Sequence, residues 1–262
     1  MLTTTASDGT EVRAIDEGEG AAVLILHPGL DDGRSWAKVA ALLTPNHRVV
    51  RLHRRQYRQD LPSPATIAQE VEHVLATARK IGTPVLLVGH SSGAVVALEA
   101  LVAAPQAFTG AVLYEPPVVI GAPLGGPNGE INARARQAIA AGRPGKALRI
   151  FIRETVRLPQ WVAILSGVFV GLSPRLRALV SHQIDDNEAL DLLGVRLDAY
   201  AGIEAPVLLI GGDRSPAHLK ERLDALARVL PRATSMVLSG QGHSAHAAAP
   251  ATLADAIKSF EA

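Results

Sequence analysis

The chain of 262 residues contains no cysteine. That excludes disulfides, thiolate metal sites and a cysteine nucleophile, and it suits a reducing compartment. Aromatic side chains are scarce, at 3% of residues, so any core must be built from Ala, Val, Leu and Ile. Neither sign of charge prevails: 26 Lys and Arg stand against 25 Asp and Glu, a net charge of +1. No global field then favours nucleic acid or an anionic membrane as a partner. The most apolar stretch outside the strand-like runs, Trp161 to Leu172, is too short to span a bilayer. The opening MLTTTASDGTEV has neither a basic n-region nor an apolar h-region, so it does not read as a signal peptide. The expectation is a soluble cytoplasmic protein with a small-molecule partner, as a monomer or a homodimer.

What is present is globular: 48% hydrophobic and 19% charged residues, enough for a sizeable core. Short apolar runs recur at Ala22–Leu26, Val49–Leu52, Pro84–Val88, Ala111–Leu113 and Pro206–Ile210, each bounded by Gly, Pro or polar residues. Their lack of alternation predicts parallel strands buried on both faces. Helical patterns lie between or after them, at Ser35–Leu43, Ala65–Ile81, Ser92–Ala103, Ala217–Val229 and Ala247–Phe260. The alternation predicts an α/β architecture with a mostly parallel sheet flanked by helices. Asp8-Gly9 marks an antiparallel hairpin at the sheet edge. From about Pro117 to Ala201 no strand run occurs, and the sequence reads as several helices. Gly142-Arg143-Pro144-Gly145 breaks one, and Ser173-Pro174 caps another. This predicts a core of residues 1–116 and 202–262 carrying a helical cap, 117–201, over the edge where open sheets bind ligands.

Pro84–Val88 runs into Gly89-His90-Ser91-Ser92-Gly93 and then at once into a helical stretch. A G-x-S-x-G placed between strand and helix is a nucleophile elbow, which holds the serine in a strained turn at a helix N-terminus. Ser91 is the candidate nucleophile; the competing reading is a serine that merely caps the helix. A serine needs a base, and His243 has the right address, in a Gly-flanked loop between a last strand, Ser235–Leu238, and the C-terminal helix. His246 is the nearest rival. The acid that orients the imidazole is read as Asp213, at the end of the strand Pro206–Ile210. Glu115, ending the preceding strand, is the alternative acid; it ranks second because the helical insertion begins directly after it. Two oxyanion donors are expected, the backbone N–H of Ser92 and that of Gly29, with Leu30 next, since Pro28 has no N–H. Asp31 and Asp32 read as turn and capping groups.

These pieces together resemble the α/β-hydrolase superfamily over nearly the whole chain, in its serine-nucleophile branch with a helical cap. The resemblance rests on the His27 loop ending in Gly33-Arg34-Ser35-Trp36, the elbow, Gly212-Asp213 and Gly242-His243. It implies the α/β-hydrolase fold, with the cap inserted before the acid-bearing strand. It also implies hydrolysis of an ester, lactone, thioester or related acyl group through an acyl-enzyme, with no metal and no organic cofactor. Carried over, Ser91 is the nucleophile, His243 the base, Asp213 its acid, and the Gly29 and Ser92 amides form the oxyanion hole. The chain departs from the family in two places. It reads His27-Pro28-Gly29 where members usually read His-Gly, and Leu52-His53-Arg54-Arg55-Gln56-Tyr57-Arg58 where many carry an Arg-Gly-x-Gly turn. That basic segment reads as solvated rim arginines, as a bulk that narrows one side of the pocket, or as a contact for an anionic substrate group.

Ser91 argues against branches that use an aspartate nucleophile. Trp161, Val162, Ile164, Leu165, Val168 and Phe169 cover a broad helix face, which predicts either core packing within the cap or a lid against substrate. Leu30, His90, Trp161 and Phe169 are the candidate pocket residues. The cap arginines Arg134, Arg136, Arg149, Arg153 and Arg157 read either as attractors of carboxylate or phosphate or, for the most part, as surface groups. The expected activity is hydrolysis of a carboxylic ester or lactone of a small, largely apolar molecule. Thioesterase, acyltransferase or carbon–carbon bond hydrolase activity, or a non-catalytic ligand-binding role, are the alternatives.

Overall fold

The computed structural model describes residues 1–82 and 84–261. The chain begins with β1 (Leu2–Thr5) and β2 (Glu11–Glu17), which pair antiparallel around the turn at Asp8-Gly9. It continues through β3 (Ala21–Leu26), α1 (Ala37–Leu43), β4 (His47–Leu52), α2 (Ile67–Ile81), β5 (Val85–His90), α3 (Ser92–Ala103) and β6 (Phe108–Tyr114). A helical insertion follows: α4 (Glu130–Ala140), α5 (Pro144–Ile150), α6 (Gln160–Leu172), α7 (Pro174–Leu193) and the short α8 (Leu197–Tyr200). The chain then returns through β7 (Val207–Gly212), α9 (Ala217–Val229), β8 (Ala233–Leu238), α10 (Ala245–Ala248) and α11 (Pro250–Glu261).

Among the described residues the eight strands form one sheet in the order β1-β2-β4-β3-β5-β6-β7-β8. Pairing is antiparallel at β1–β2 and β2–β4 and parallel across the rest. The strand residues split by pleat. Leu24, Leu26, Leu87, Leu113 and Leu209 face one buried cluster, which includes Val71 and Val74 of α2 and Leu98 of α3. Val23, Ile25, Val88, Val112 and Ile210 face the other, built with Trp36 and with Val39 of α1 and Leu253 and Ile257 of α11. Both faces being covered, strands need no alternation of polarity, which is why they read as unbroken apolar runs. Local signals support the helices. Thr66 and Gln69 form a reciprocal capping box on α2, and Ser173 caps α7 with Pro174 in its first turn.

The insertion has its own core, in which Ala135 and Ala138 of α4, Ala147 and Leu148 of α5, Val170 of α6, and Val180 and Ile184 of α7 are buried together. Helices α5 and α6 approach closely where Gly145 meets Gly167, since a Cβ on either glycine would collide with the backbone of the other. Helix α6 therefore buries its small residues, Ala163 and Gly167, with Val170. Its large ones turn outward: Trp161 and Phe169 are each 66% exposed. This corrects the expectation that the apolar face of α6 packs as core or closes over substrate. The contact that decides the matter lies between two helices and needs small residues rather than large ones. The ends of the insertion meet in a parallel bridge between Val119 and Val195.

Candidate active site

The elbow takes the conformation its motif demands. Ser91 has φ 53° and ψ −127°, a backbone region that costs an ordinary residue about 1–3 kcal/mol. The turn is tied down by its N–H to the Tyr114 carbonyl and by its own carbonyl, which accepts from the Ala94 N–H. The flanking glycines answer to space: a Cβ on Gly89 would strike the backbone of Ala94, and one on Gly93 the carbonyls of Leu26 and His27. Ser91 thus stands at the carboxyl end of β5, at the N-terminus of α3, with its side chain lining a cavity.

The imidazole of His243 donates from Nδ1 to Oε2 of Glu115 at 2.6 Å. Glu115 is wholly buried, and its Oε1 accepts the Gly212 N–H at 2.8 Å. It stands at the end of β6 with φ 48°. Asp213, the preferred acid on sequence, is solvent-exposed and makes no contact with His243. The correction has a geometric cause. β6 and β7 are hydrogen-bonded neighbours, so their carboxyl ends present Glu115 and Asp213 side by side, and the loop after β8 lays His243 towards the former. The same loop is fixed from two more directions. Tyr114 Oη donates to the Gly242 carbonyl and accepts from the Ala245 N–H, while His90 Nε2 donates to the His243 carbonyl at 3.0 Å. Burial, followed by the neighbouring His243 and His246, pushes His90 well below the usual imidazole range. Burial likewise holds His246 down at about 4. His246 stacks on Trp36, away from the Glu115 carboxylate.

Ser91 and His243 open onto one cavity of about 300 Å³. Pro28, Gly29, Leu30 and Ser92 line it from the sheet, so the proposed oxyanion residues sit beside the serine. Leu30 adopts φ 55°, and a Cβ at Gly29 would overlap the Gln183 amide. Asp31 accepts from the Ser35 hydroxyl and N–H, a turn contact. Of the candidate pocket residues, Leu30 and His90 line the cavity; Trp161 and Phe169 do not, because α6 faces away from it. The insertion contributes others that the sequence did not reveal: Leu124, Phe151, Thr155, Val156, Gln183, Asn187 and Leu190. Phe151–Thr155 forms a π-helical turn continuing α5, which rotates Phe151, Thr155 and Val156 to the cavity. His218 of α9 lines the wall, and burial lowers it to about 4.

Comparison with known proteins identifies the family and the fold. A family model described as the alpha/beta hydrolase family matches residues 23–256. The chain belongs to the alpha/beta hydrolase family. An alpha/beta hydrolase from Sphaerobacter thermophilus is 26% identical, with each chain covered completely and a TM-score of 0.85. A thermophilic esterase from Thermogutta terrifontis is 21% identical over 99% of this chain and 97% of its own, with a TM-score of 0.76. Est816, an N-acyl homoserine lactone degrading enzyme, is 20% identical over 99% of this chain and 100% of its own, at 0.75. No curated protein matches at a significant level.

In this hydrolase the basic segment after β4 is neither a solvated rim nor a substrate contact. Arg51, Arg54, Arg55 and Arg58 are all buried. The Arg54 guanidinium donates to Ser92 Oγ at 2.8 Å and to the His27 carbonyl, and it pairs with Glu70 of α2 and Asp186 of α7. Burial opposes its charge, but the two carboxylates outweigh that and raise its pKa above the ordinary value. Tyr57 donates to Asp186 at 2.7 Å and stacks under the guanidinium. The cluster joins the insertion to the elbow and the His27 loop. His27 completes it: Nδ1 donates to the Pro28 carbonyl and Nε2 accepts from the Arg54 N–H. The carboxylates that pair with Arg54 lie 16 and 132 residues away in sequence, so no local pattern reveals them.

Proposed function

We propose that this hydrolase cleaves a carboxylic ester or lactone of a small, uncharged, largely apolar molecule, using Ser91, His243 and Glu115 as its catalytic triad. The observation that carries the proposal is the bond from His243 Nδ1 to the buried Glu115, made in the cavity onto which the strained Ser91 opens. With Nδ1 engaged, Nε2 is left for the serine proton. Ser91 Oγ attacks the substrate carbonyl while His243 takes its proton. The oxyanion is met by the N–H of Ser92 and by that of Gly29 or Leu30. His243 then returns the proton to the departing alkoxide, leaving an acyl-serine. A water, deprotonated by the same imidazole, hydrolyses it and restores the free enzyme. Glu115 stabilises the imidazolium in both halves. Asp213 has no part in this scheme, and the cap then follows the acid-bearing strand instead of preceding it.

The substrate class is supported by the wall chemistry. Leu30, Leu124, Phe151, Val156, Leu190 and Leu219 surround the cavity, while Gln183, Asn187 and Thr155 offer uncharged polar contacts. The lowered His218 and His246 bring no charge at neutral pH, and the carboxylate of the wall, Asp31, is engaged by the Ser35 hydroxyl and N–H. Residues 117–201 act as a cap on the core of 1–116 and 202–262, a division supported by the insertion's own buried cluster. The cysteine-free chain suits work in the cytoplasm. Among the described residues no helix is long and apolar enough to cross a membrane.

The test is a panel of p-nitrophenyl esters of rising chain length with wild type, Ser91→Ala and His243→Ala. Activity falling by about 10³-fold or more in each variant is expected. Turnover that survives Ser91→Ala would sink the proposal. A folded wild type inert on esters and lactones alike would also count against it, in favour of a ligand-binding role.

A further inference from the structure

Nothing in the described chain covers the outward surface of α6. Trp161, Leu165, Val168, Phe169 and Leu172 are 55–78% exposed, and the helix, QWVAILSGVFVGL, carries no charged residue. Cations flank it. Between residues 143 and 177 stand Arg143, Lys146, Arg149, Arg153, Arg157, Arg175 and Arg177, with Glu154 as the lone acid. Glu154 is already paired with Arg134, and Arg175 with Asp32. The remaining cations, all exposed, have no carboxylate partner among the described residues. Beside α6 lie two open hollows of about 260 and 400 Å³. Lys146, Arg149 and Arg153 with Ile164 line the first; Arg143, Lys146, Arg149 and Arg177 with Val168 line the second. The whole-chain charge of +1 hides this concentration.

We propose that the α5–α6 face docks this hydrolase on an anionic phospholipid surface. The Trp, Phe and Leu side chains of α6 enter the acyl boundary, and the flanking Arg and Lys groups meet lipid phosphates in the adjoining hollows. An exposed apolar helix bordered by long cationic side chains is the chemistry such an interface selects, because the stems lie along the apolar zone while the heads reach phosphate. A second copy of the chain fits less well. A two-fold contact through this face sets the same unpaired cations against one another, and the one acid there, Glu154, is already paired with Arg134. The face is also continuous with the cavity wall. Phe151, Thr155 and Val156 line the cavity, and Arg149, Arg153 and Arg157 of the same stretch belong to the cationic border. The docking does not depend on which bond the enzyme cleaves.

Cosedimentation with vesicles tests it, using phosphatidylcholine alone and phosphatidylcholine with about one third phosphatidylglycerol. Binding is expected to be about tenfold or more tighter to the mixed vesicles, and to weaken as salt rises from about 0.1 to about 0.5 M. Leu165→Ser with Phe169→Ser, and separately Arg149→Glu with Arg153→Glu, should each weaken it by about tenfold or more, leaving hydrolysis of a soluble short-chain ester unchanged. Wild-type fluorescence gives an independent readout without substitution. Trp36 is fully buried, so a blue shift and quenching by bromine-labelled lipid chains report Trp161. No binding and no shift with anionic vesicles overturns the proposal. So does binding that both double variants leave intact, or a dimer in solution that Leu165→Ser with Phe169→Ser dissolves while vesicles remain unbound.

Discussion

At the scale of single residues, the decisive contact is the one between His243 and Glu115. A carboxylate held at 2.6 Å from Nδ1 fixes the ring and its tautomer, so replacing it by an isosteric amide presents the wrong group to the same nitrogen. Glu115→Gln is expected to lower kcat for ester hydrolysis by about 10³–10⁴-fold, whereas Asp213→Asn stays within about twofold of wild type. The reverse result in that pair of kinetic measurements would return the acid to β7. That Ser91 and His243 meet at one cavity was legible because each is announced locally, by a motif between strand and helix and by a glycine-flanked loop before the last helix. The carboxylate that His243 meets was not. Two carboxylates end adjacent parallel strands, and choosing between them needs the direction in which a loop from β8 leans, which no local pattern encodes.

At the scale of elements, the sheet was readable because burial on both faces leaves apolar runs of strand length. The insertion was readable as helical, but its side-chain directions were not. The glycine contact that turns α6 outward is between elements, and so is the pairing that buries the arginines after β4. Arg54 joins α2, α7, the elbow and the His27 loop. Arg54→Met leaves Glu70 and Asp186 buried without their cation, and it should cost about 3–5 kcal/mol in urea unfolding. Tyr57→Phe removes one hydroxyl from Asp186 and should cost only about 1–2 kcal/mol. Equal losses in the two variants would mean that the Tyr57 hydroxyl bond, and not the Arg54 charge, holds the insertion to the core.

At the scale of the whole molecule, buried histidines set the response to acid. His27, His218 and His246 are lowered to about 4 and His90 is lowered well below its ordinary value, burial being the largest cause in each. Once unfolded they titrate near 6.5, so between about pH 6.5 and 4 the unfolded chain takes up protons that the folded one refuses. Their contribution is complete above about pH 6.5 and is lost as pH falls through that window. The wholly buried His27 alone accounts for about 3 kcal/mol by its lower end. Urea midpoints should therefore drop steeply from pH 7 to pH 4.5, and midpoints that stay level would refute the assignment. The order of the chain has a kinetic side as well. Tyr114 of β6 lies against Ile210 of β7, yet the entire insertion separates them in sequence. That loop is longer than any closed by the pairings of β1 through β6, although its entropy grows only with the logarithm of its length. The elbow lies before the insertion, and His243 lies after β8, in the last segment of the chain. A refolding molecule is accordingly expected to own its nucleophile well before it owns its base, and recovery of activity to trail recovery of the sheet.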